Sequence, residues 1–436
     1  MNGFLVSAPN SGSGKTVITL ALMRALKDRG INIAPAKAGP DFIDPAFHFA
    51  ATGVKSFNLD CWAMRPDLIN LVAAHFSKGM KTLIVEGMMG LFDGAADGSG
   101  SSAALANMLG LPVIFVVDCA HQSHSIAPLV KGFESFMPQL QMAGVILNKV
   151  GSKRHETMLR DALAPLSMPV LGSVYRNDDL KLPSRHLGLV QPSELVDIET
   201  FIENAANIIA NSVDLDHVIK ISSRVDHKTY VGETYGIAPI GQHIAVTRDN
   251  AFRFAYPHLL DGWRRMGAEI SFFSPLSDEK PDPNADAIYL CGGYPELFAE
   301  KLSRALNFKQ TMTAMAATGI CIYGECGGYM TLGESIEDAN GQTYPMLGLL
   351  PLKTSFKQKK LHLGYRSIVP NENTIFRQAL RGHEFHYASI ISEGNQFSQP
   401  LFYVRDALNN PLGSVGLKIG NVSGSFMHVI DIDRQI

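Results

Sequence analysis

Residues Ala8–Thr16, Ala-Pro-Asn-Ser-Gly-Ser-Gly-Lys-Thr, stand between a short apolar run and a helical pattern. No other stretch narrows the possible folds as much. Gly3–Val6 reads as a buried strand, and Ile18, Leu22, Ala25 and Leu26 recur at helical spacing, so the segment lies where a strand feeds a helix N-terminus. That context makes it a phosphate-binding loop. Gly12 and Gly14 let backbone N–H groups, Ser13's among them, close on phosphate oxygens; Lys15 adds a point charge, and the Thr16 hydroxyl can ligate Mg²⁺. The strict G-x-x-x-x-G-K-T pattern has Gly where this chain has Pro9, so the loop is a variant.

The first half alternates short apolar runs with helical patterns, the signature of an α/β fold with a doubly wound parallel sheet. Strands are predicted at 3–8, 33–37, 82–86, 113–118, 143–148 and 170–174, and helices at 16–29, 67–77, 102–109, 126–136 and 154–163. Ligands of such sheets bind beyond the carboxyl ends of the strands, so three further turns matter. Asp41 and Asp44 lie close together after the second strand, able to bind metal or to steer a substrate. Glu86 closes the third strand beside the phosphate loop, where a second Mg²⁺ contact is expected, and Asp93 follows it as a weaker candidate. The alternative is that Asp41, Asp44 and Asp93 cap turns or helices, as Asp does routinely. Asn148, after the fifth strand, is either an amide that reads adenine or an ordinary turn residue.

With 436 residues and 46% hydrophobic content the chain can build two cores. The patterning changes after Leu182, becomes polar and irregular across 214–240, and restarts with a strand at 244–247, so a boundary is set at 235/236. The formal charge of −3 and the absence of long basic runs argue against a nucleic-acid partner. Five cysteines form no C-x-x-C pair and no even framework, which suits reduced thiols. Apolar runs are too short to span a bilayer and no charged leader opens the chain. The expectation is a cytoplasmic protein with no membrane partner; a homodimer is carried as a possibility.

In the second half, Gly324-Glu-Cys326-Gly-Gly-Tyr has a nucleophile between small residues at a strand-to-helix turn. A thiol at a helix N-terminus is expected to have its pKa lowered from about 8.5 and to attack a carbonyl. Backbone N–H groups of Gly292, Gly293 and Gly327 are candidates for an oxyanion hole. Cys61, Cys119 and Cys321 read as small buried hydrophobes, and Cys291 stays ambiguous. The base that serves Cys326 is sought in the tail, where runs at 385–391, 401–404 and 413–419 suggest antiparallel strands. His428 is the first choice; His383 and His386 compete, and a metal site from His383, Glu384 and His386 lacks a further ligand cluster.

The loop Ala8–Thr16, Lys-Ala-Gly-Pro-Asp-Phe-Ile-Asp-Pro (37–45), Val-Glu-Gly-Met-Met-Gly-Leu-Phe-Asp-Gly (85–94), Leu-Pro-Ser-Arg-His-Leu-Gly-Leu (182–189), Gly-Glu-Cys-Gly-Gly-Tyr-Met and Gly-His-Glu-Phe-His-Tyr together resemble the cobyrinic (or hydrogenobyrinic) acid a,c-diamide synthases over nearly the whole chain. The resemblance implies a dethiobiotin-synthetase-like synthetase domain over 1–235 and a class I glutamine amidotransferase domain over 236–436. It implies ATP, Mg²⁺, L-glutamine and a corrin polycarboxylate as ligands, with the c and then the a acetate amidated in vitamin B12 biosynthesis. Carried onto this chain, it places Asp41, Phe42, Ile43, Asp44 and Asp93 against the substrate, and Thr16, Glu86 and Asp41 around the metal. Family members usually carry Tyr and a bulky aliphatic residue where Phe42 and Ile43 stand. Class I amidotransferases place Glu two residues after the catalytic His, where this chain has Ile430, so a Cys–His pair is implied, with Asp431 or Asp433 as a substitute third member. A nickel-sirohydrochlorin a,c-diamide synthase, a cobyric acid synthase and a P-loop ATPase switch are the other readings.

Overall fold

The computed structural model describes residues 1–182, 192, 195, 197–225 and 236–433. These divide into two compact units, Met1–Trp62 with residues 66–225, and Ala63–Arg65 with residues 236–433. The boundary expected at 235/236 and most of the 182–189 motif lie outside the described residues, and the assignment of Ala63–Arg65 to the second unit has no forewarning in the sequence.

In the first unit the strands are β1 (Asn2–Ser7), β2 (Ile33–Ala38), β3 (Phe57–Leu59), β4 (Thr82–Glu86), β5 (Val113–Asp118), β6 (Met142–Val150), β7 (Val170–Tyr175) and β8 (Ser223–Arg224). They pair in the order β3-β2-β4-β1-β5-β6-β7, with β8 antiparallel on β1 and the rest parallel. The β1, β4 and β5 cores are buried on both faces, which is why they read as unbroken apolar runs. A helix at Ile43–Thr52 and strand β3 are additions to the expected elements; β3 is three residues long, too short for any period to register. Because β4 lies between β2 and β1, the ends of these three strands are neighbours, with Val6 and Lys37 both in register with Glu86.

The second unit contains β9 (His243–Thr247), β10 (Phe252–Phe254), β11 (Glu269–Phe273), β12 (Ala287–Leu290), β13 (Gly292–Gly293), β14 (Cys321–Glu325), β15 (Ser335–Glu337), β16 (Thr343–Pro345), β17 (Leu352–Ser355), β18 (His362–Pro370), β19 (Leu380–His386), β20 (Ser389–Glu393), β21 (Gln399–Asp406), β22 (Pro411–Ile419), β23 (Val422–Ser425) and β24 (Met427–Ile432). The large sheet runs β11-β9-β12-β14-β23-β22-β21-β18-β19-β24, parallel from β11 to β23 and antiparallel beyond. The strand expected over 385–391 is corrected. Its first part ends β19, while β20 belongs to a separate sheet against β17. The break falls at Tyr387–Ala388, where the His386 Nδ1 meets the Ala388 carbonyl at 3.0 Å. Among the described residues no helix is long and apolar enough to cross a membrane.

Candidate active site

In the first unit the phosphate loop leaves β1 and enters the Lys15–Asp28 helix through Gly14, at φ 86°, with Gly12 at φ 84°. At Gly14 a side chain is excluded twice over, since a Cβ would also stand 2.2 Å from the Asn148 amide nitrogen. The Ser13 hydroxyl donates to the Asn10 carbonyl, and the Asn148 amide donates to the Ser13 carbonyl at 2.9 Å, so both brace the loop from behind. Asn148 thereby spends one donor on the protein itself. A cavity lined by Gly14, Val17, Asn148, Tyr175, Asn177 and Lys181 opens beside it.

Glu86, fully buried at the end of β4, is where the site converges. The Thr16 hydroxyl donates to its Oε1 at 2.6 Å, Lys15 and Lys37 reach the same oxygen at 3.4 and 3.3 Å, and His48 Nε2 lies 2.7 Å from Oε2. Burial by itself would raise this carboxyl; Lys37, Lys15 and His48 outweigh it and hold Glu86 well below the usual carboxylate range. Lys37 also bridges to Asp44 at 2.5 Å and donates to the Gly87 carbonyl at 3.1 Å. Its ammonium survives burial because the Asp44, Glu86 and Asp41 carboxylates raise its pKa. Lys15 is shifted the other way, lowered by burial and by the neighbouring Lys37. Asp41 accepts from the Ile43 and Asp44 N–H groups at 3.1 and 3.0 Å, and Asp93 accepts from Gly90 N–H at 2.8 Å. Phe42 and Ile43 follow Asp41 at the helix entrance, each half-buried. Lys37 and His48 were not singled out from the sequence. A lysine closing the apolar run Ile33–Ala36 was the available signal for the first, whereas His48 sits on a helix face with nothing to mark it.

In the second unit Cys326 follows β14, the strand between β12 and β23, and adopts φ 47°, ψ −103°. That is a strained backbone for a residue with a Cβ. The helix after it, Gly327–Leu332, presses onto the sheet: a Cβ on Gly328 would stand 2.0 Å from the Leu290 carbonyl oxygen, and one on Gly327 2.9 Å from Gly293 N. The two glycines after the cysteine are thus a packing requirement. The Cys326 N–H donates to the Ser425 carbonyl at 2.8 Å, three residues before His428.

The Gly293 and Gly327 amides are directed at the Cys326 sulfur. Gly292 does something else, since a Cβ there would stand 2.5 Å from the His428 Cε1; its bareness makes room for the imidazole. His428 is buried, stacked at 4.9 Å on His383 and 3.8 Å by its Nδ1 from Glu325 Oε2. Burial lowers its pKa well below the ordinary imidazole value.

The expectation of a lowered thiol pKa is overturned. Burial pushes Cys326 up, the Glu296 and Glu325 carboxylates add to this, and the Gly327 and Gly293 amides only partly oppose them. A six-residue helix offers too little field to win against a dry, acidic surround. Glu296 and Glu325, both themselves pushed up to about 8 by burial, were missed, because a carboxylate within an apolar motif gives no periodic signal. His383 is buried, its Nδ1 3.2 Å from the Tyr256 hydroxyl, and the His386 Nε2 lies 3.0 Å from Glu384, which Arg366 also holds at 2.7 Å. His362 joins Glu384 and His386 within 4.8 Å, but Glu384 is already occupied by this ion pair. Cys119 and Cys291 are buried, whereas Cys61 and Cys321 are half-buried.

Two family models match the chain. Residues 4–190 match the CobQ/CobB/MinD/ParA nucleotide binding domain and residues 243–435 the CobB/CobQ-like glutamine amidotransferase domain. Over its whole length the chain is similar to curated proteins named hydrogenobyrinate a,c-diamide synthase. It is 57% identical over 432 residues to that of Brucella anthropi, covering 99% of each chain, and 56% identical over 435 residues to that of Rhizobium meliloti, covering 100% of each.

Proposed function

The chain belongs to the hydrogenobyrinate a,c-diamide synthase family, and from that premise we propose that it amidates the a and c acetate carboxylates of hydrogenobyrinate, using ATP to activate each acid and glutamine to supply the nitrogen. It is a carbon–nitrogen ligase of cobalamin biosynthesis. The observation that carries the reading is that one chain holds both a phosphate loop closed on a buried, lysine-flanked carboxylate and a strained thiol elbow facing backbone amides.

A carboxylate is a poor acyl donor. Its oxygen attacks the γ-phosphorus of ATP, the bond to ADP breaks, and an acyl phosphate forms. The loop amides from Gly12 to Thr16 cradle the phosphates, and Lys15, whose contact with Glu86 is only 3.4 Å, turns to them. Lys37 stays cationic throughout and neutralises the incoming acid and the transferring group. The Thr16 hydroxyl and Glu86 offer hard oxygen atoms 2.6 Å apart, which fits Mg²⁺. When bound, that ion neutralises phosphate charge. Asp41 and Asp93 keep the turns of the substrate side in shape, with Phe42, Ile43 and Asp44 toward the corrin, and the Asn148 cavity takes the nucleobase.

At the second site the Cys326 sulfur attacks the glutamine side-chain carbon. His428 takes the thiol proton and returns it to the leaving nitrogen, Gly293 and Gly327 stabilise the oxyanion, and water then releases glutamate. Ammonia displaces phosphate from the acyl phosphate. The test is a pair of variants: Cys326→Ser should lose glutamine-dependent amidation and keep that with added ammonium, while Lys15→Ala should lose both. Glutamine-dependent turnover by Cys326→Ser would refute the nucleophile.

A further inference from the structure

Once His428 is read as the base, the group that orients it has to be found. The position two residues on is Ile430, and the two nearby aspartates are committed elsewhere. Asp431 takes Arg65 through the guanidinium at 2.9 and 3.1 Å and through the Arg65 N–H at 2.9 Å; Asp433 takes Arg381 at 3.0 Å. The carboxylate that faces the imidazole is Glu325, the residue immediately before the nucleophile. Its Oε2 lies 3.8 Å from His428 Nδ1, and both side chains are 1% exposed.

Glu325 is itself aimed. The Tyr289 hydroxyl donates to Oε2 at 2.8 Å, the Tyr323 hydroxyl to Oε1 at 3.2 Å, and the Val429 N–H, next to His428, to Oε1 at 3.4 Å. The two tyrosine rings stack at 5.9 Å, carried by the adjacent strands β12 and β14. We propose that Glu325 is the positioning residue for His428, turning its Nδ1–H toward the carboxylate so that Nε2 is the atom offered to the Cys326 thiol. This rests on the reading of Cys326 and His428 as the glutaminase pair.

The energetics favour the arrangement. Burial pushes the Glu325 carboxyl up to about 8 and pulls the His428 imidazole down. Each is costly to charge alone, and each offsets the other's cost when a proton reaches the imidazole. The other groups around them do not substitute. Glu325 is faced by Tyr289 and Tyr323, with Glu296 acting on the adjoining thiol; His428 is faced by His383 and, further out, by His386 and by Glu384, which Arg366 holds. At 3.8 Å the contact exceeds a hydrogen bond, and catalytic contacts of this kind shorten when substrate fills the site.

The experiment is the pH profile of glutamine hydrolysis by the full-length protein and by Glu325→Gln, which keeps shape and hydrogen-bonding capacity but not charge. Expected are a kcat lower by about 100-fold with KM within about twofold, and the disappearance of the rise through pH of about 8 that ionisation of Glu325 gives the wild type. Glu325→Asp should recover part of the rate. Independently of any variant's folding, nitrogen NMR of labelled histidine in the wild-type protein, recorded above a pH of about 8 where Glu325 is ionised, should find His428 protonated at Nδ1. Hydrolysis by Glu325→Gln within about threefold of wild type and with an unchanged profile, or an Nε2–H tautomer, overturns the assignment. Should Cys326→Ser still hydrolyse glutamine, the underlying thiol reading fails instead.

Discussion

Glu86 and Cys326 are both buried at strand ends, and at the residue scale burial alone would raise both pKa values, while their neighbours act in opposite ways. At Glu86 the neighbouring Lys37, Lys15 and His48 outweigh burial, so it stays ionised; at Cys326 burial pushes the thiol up, and the acidic Glu296 and Glu325 add to it. Since the reactive form is the thiolate, alkylation of Cys326 by iodoacetamide in the absence of glutamine should accelerate about tenfold per pH unit from pH 7 to 9, read by mass spectrometry of its peptide. A rate already level at pH 7 would mean a thiol of lowered pKa, and one that levels off near a pH of about 8.5 a thiol of ordinary pKa. For Glu86, replacement by Gln should leave Lys15 and Lys37 facing each other without the carboxylate they share, and ATP-dependent turnover with ammonium should fall by about 100-fold or more. Retained turnover would remove Glu86 from the machinery. The sequence marked Lys15 and Thr16 by the spacing of the phosphate loop, Glu86 by its place at the end of a buried strand, and Cys326 by the small residues around it at a strand-to-helix turn. Lys37 meets Glu86 through strand register and Glu325 meets His428 from a different strand, while nothing local marks His48 or Glu296.

Among the elements, the Gly327–Leu332 helix is the least tolerant. Its closeness to β12 leaves 2.0 Å for a Cβ at Gly328, against a backbone oxygen that cannot rotate away. Gly328→Ala should therefore destabilise the second unit by about 3 kcal/mol or displace the thiol, measurable as a lower urea midpoint together with lost glutaminase activity. A variant with wild-type midpoint and activity would contradict the packing. Buried parallel strands were legible because each is an apolar run between turn signals. The antiparallel half was less so: strands such as β22 are mostly exposed or half-buried, and at 385–391 two strands of different sheets follow one another across a two-residue break. A period of two continues across such a break, and the sequence offers no sign that the partner has changed.

On the scale of the molecule, acid should weaken the second unit through Glu384. Burial alone would raise Glu384, but its hydrogen bond to His386 and the Arg366 guanidinium hold it at about 2, against an ordinary value of 4.5. A carboxyl with a depressed folded-state pKa stabilises above its unfolded value and loses that contribution as pH falls from about 4.5 to 2, here on the order of 3 kcal/mol. The wild type should thus lose stability over that window, and Glu384→Gln, less stable at neutral pH, should show a flatter acid profile; parallel profiles would count against the ion pair. The claim on which the whole account depends is that the acid is activated by phosphorylation before nitrogen arrives. It is tested most directly by supplying substrate labelled with ¹⁸O in the a and c carboxylates, with ATP and glutamine, and measuring the mass of the phosphate released. Activation as acyl phosphate requires one labelled oxygen in phosphate for every amide formed; amide formation with unlabelled phosphate would contradict it.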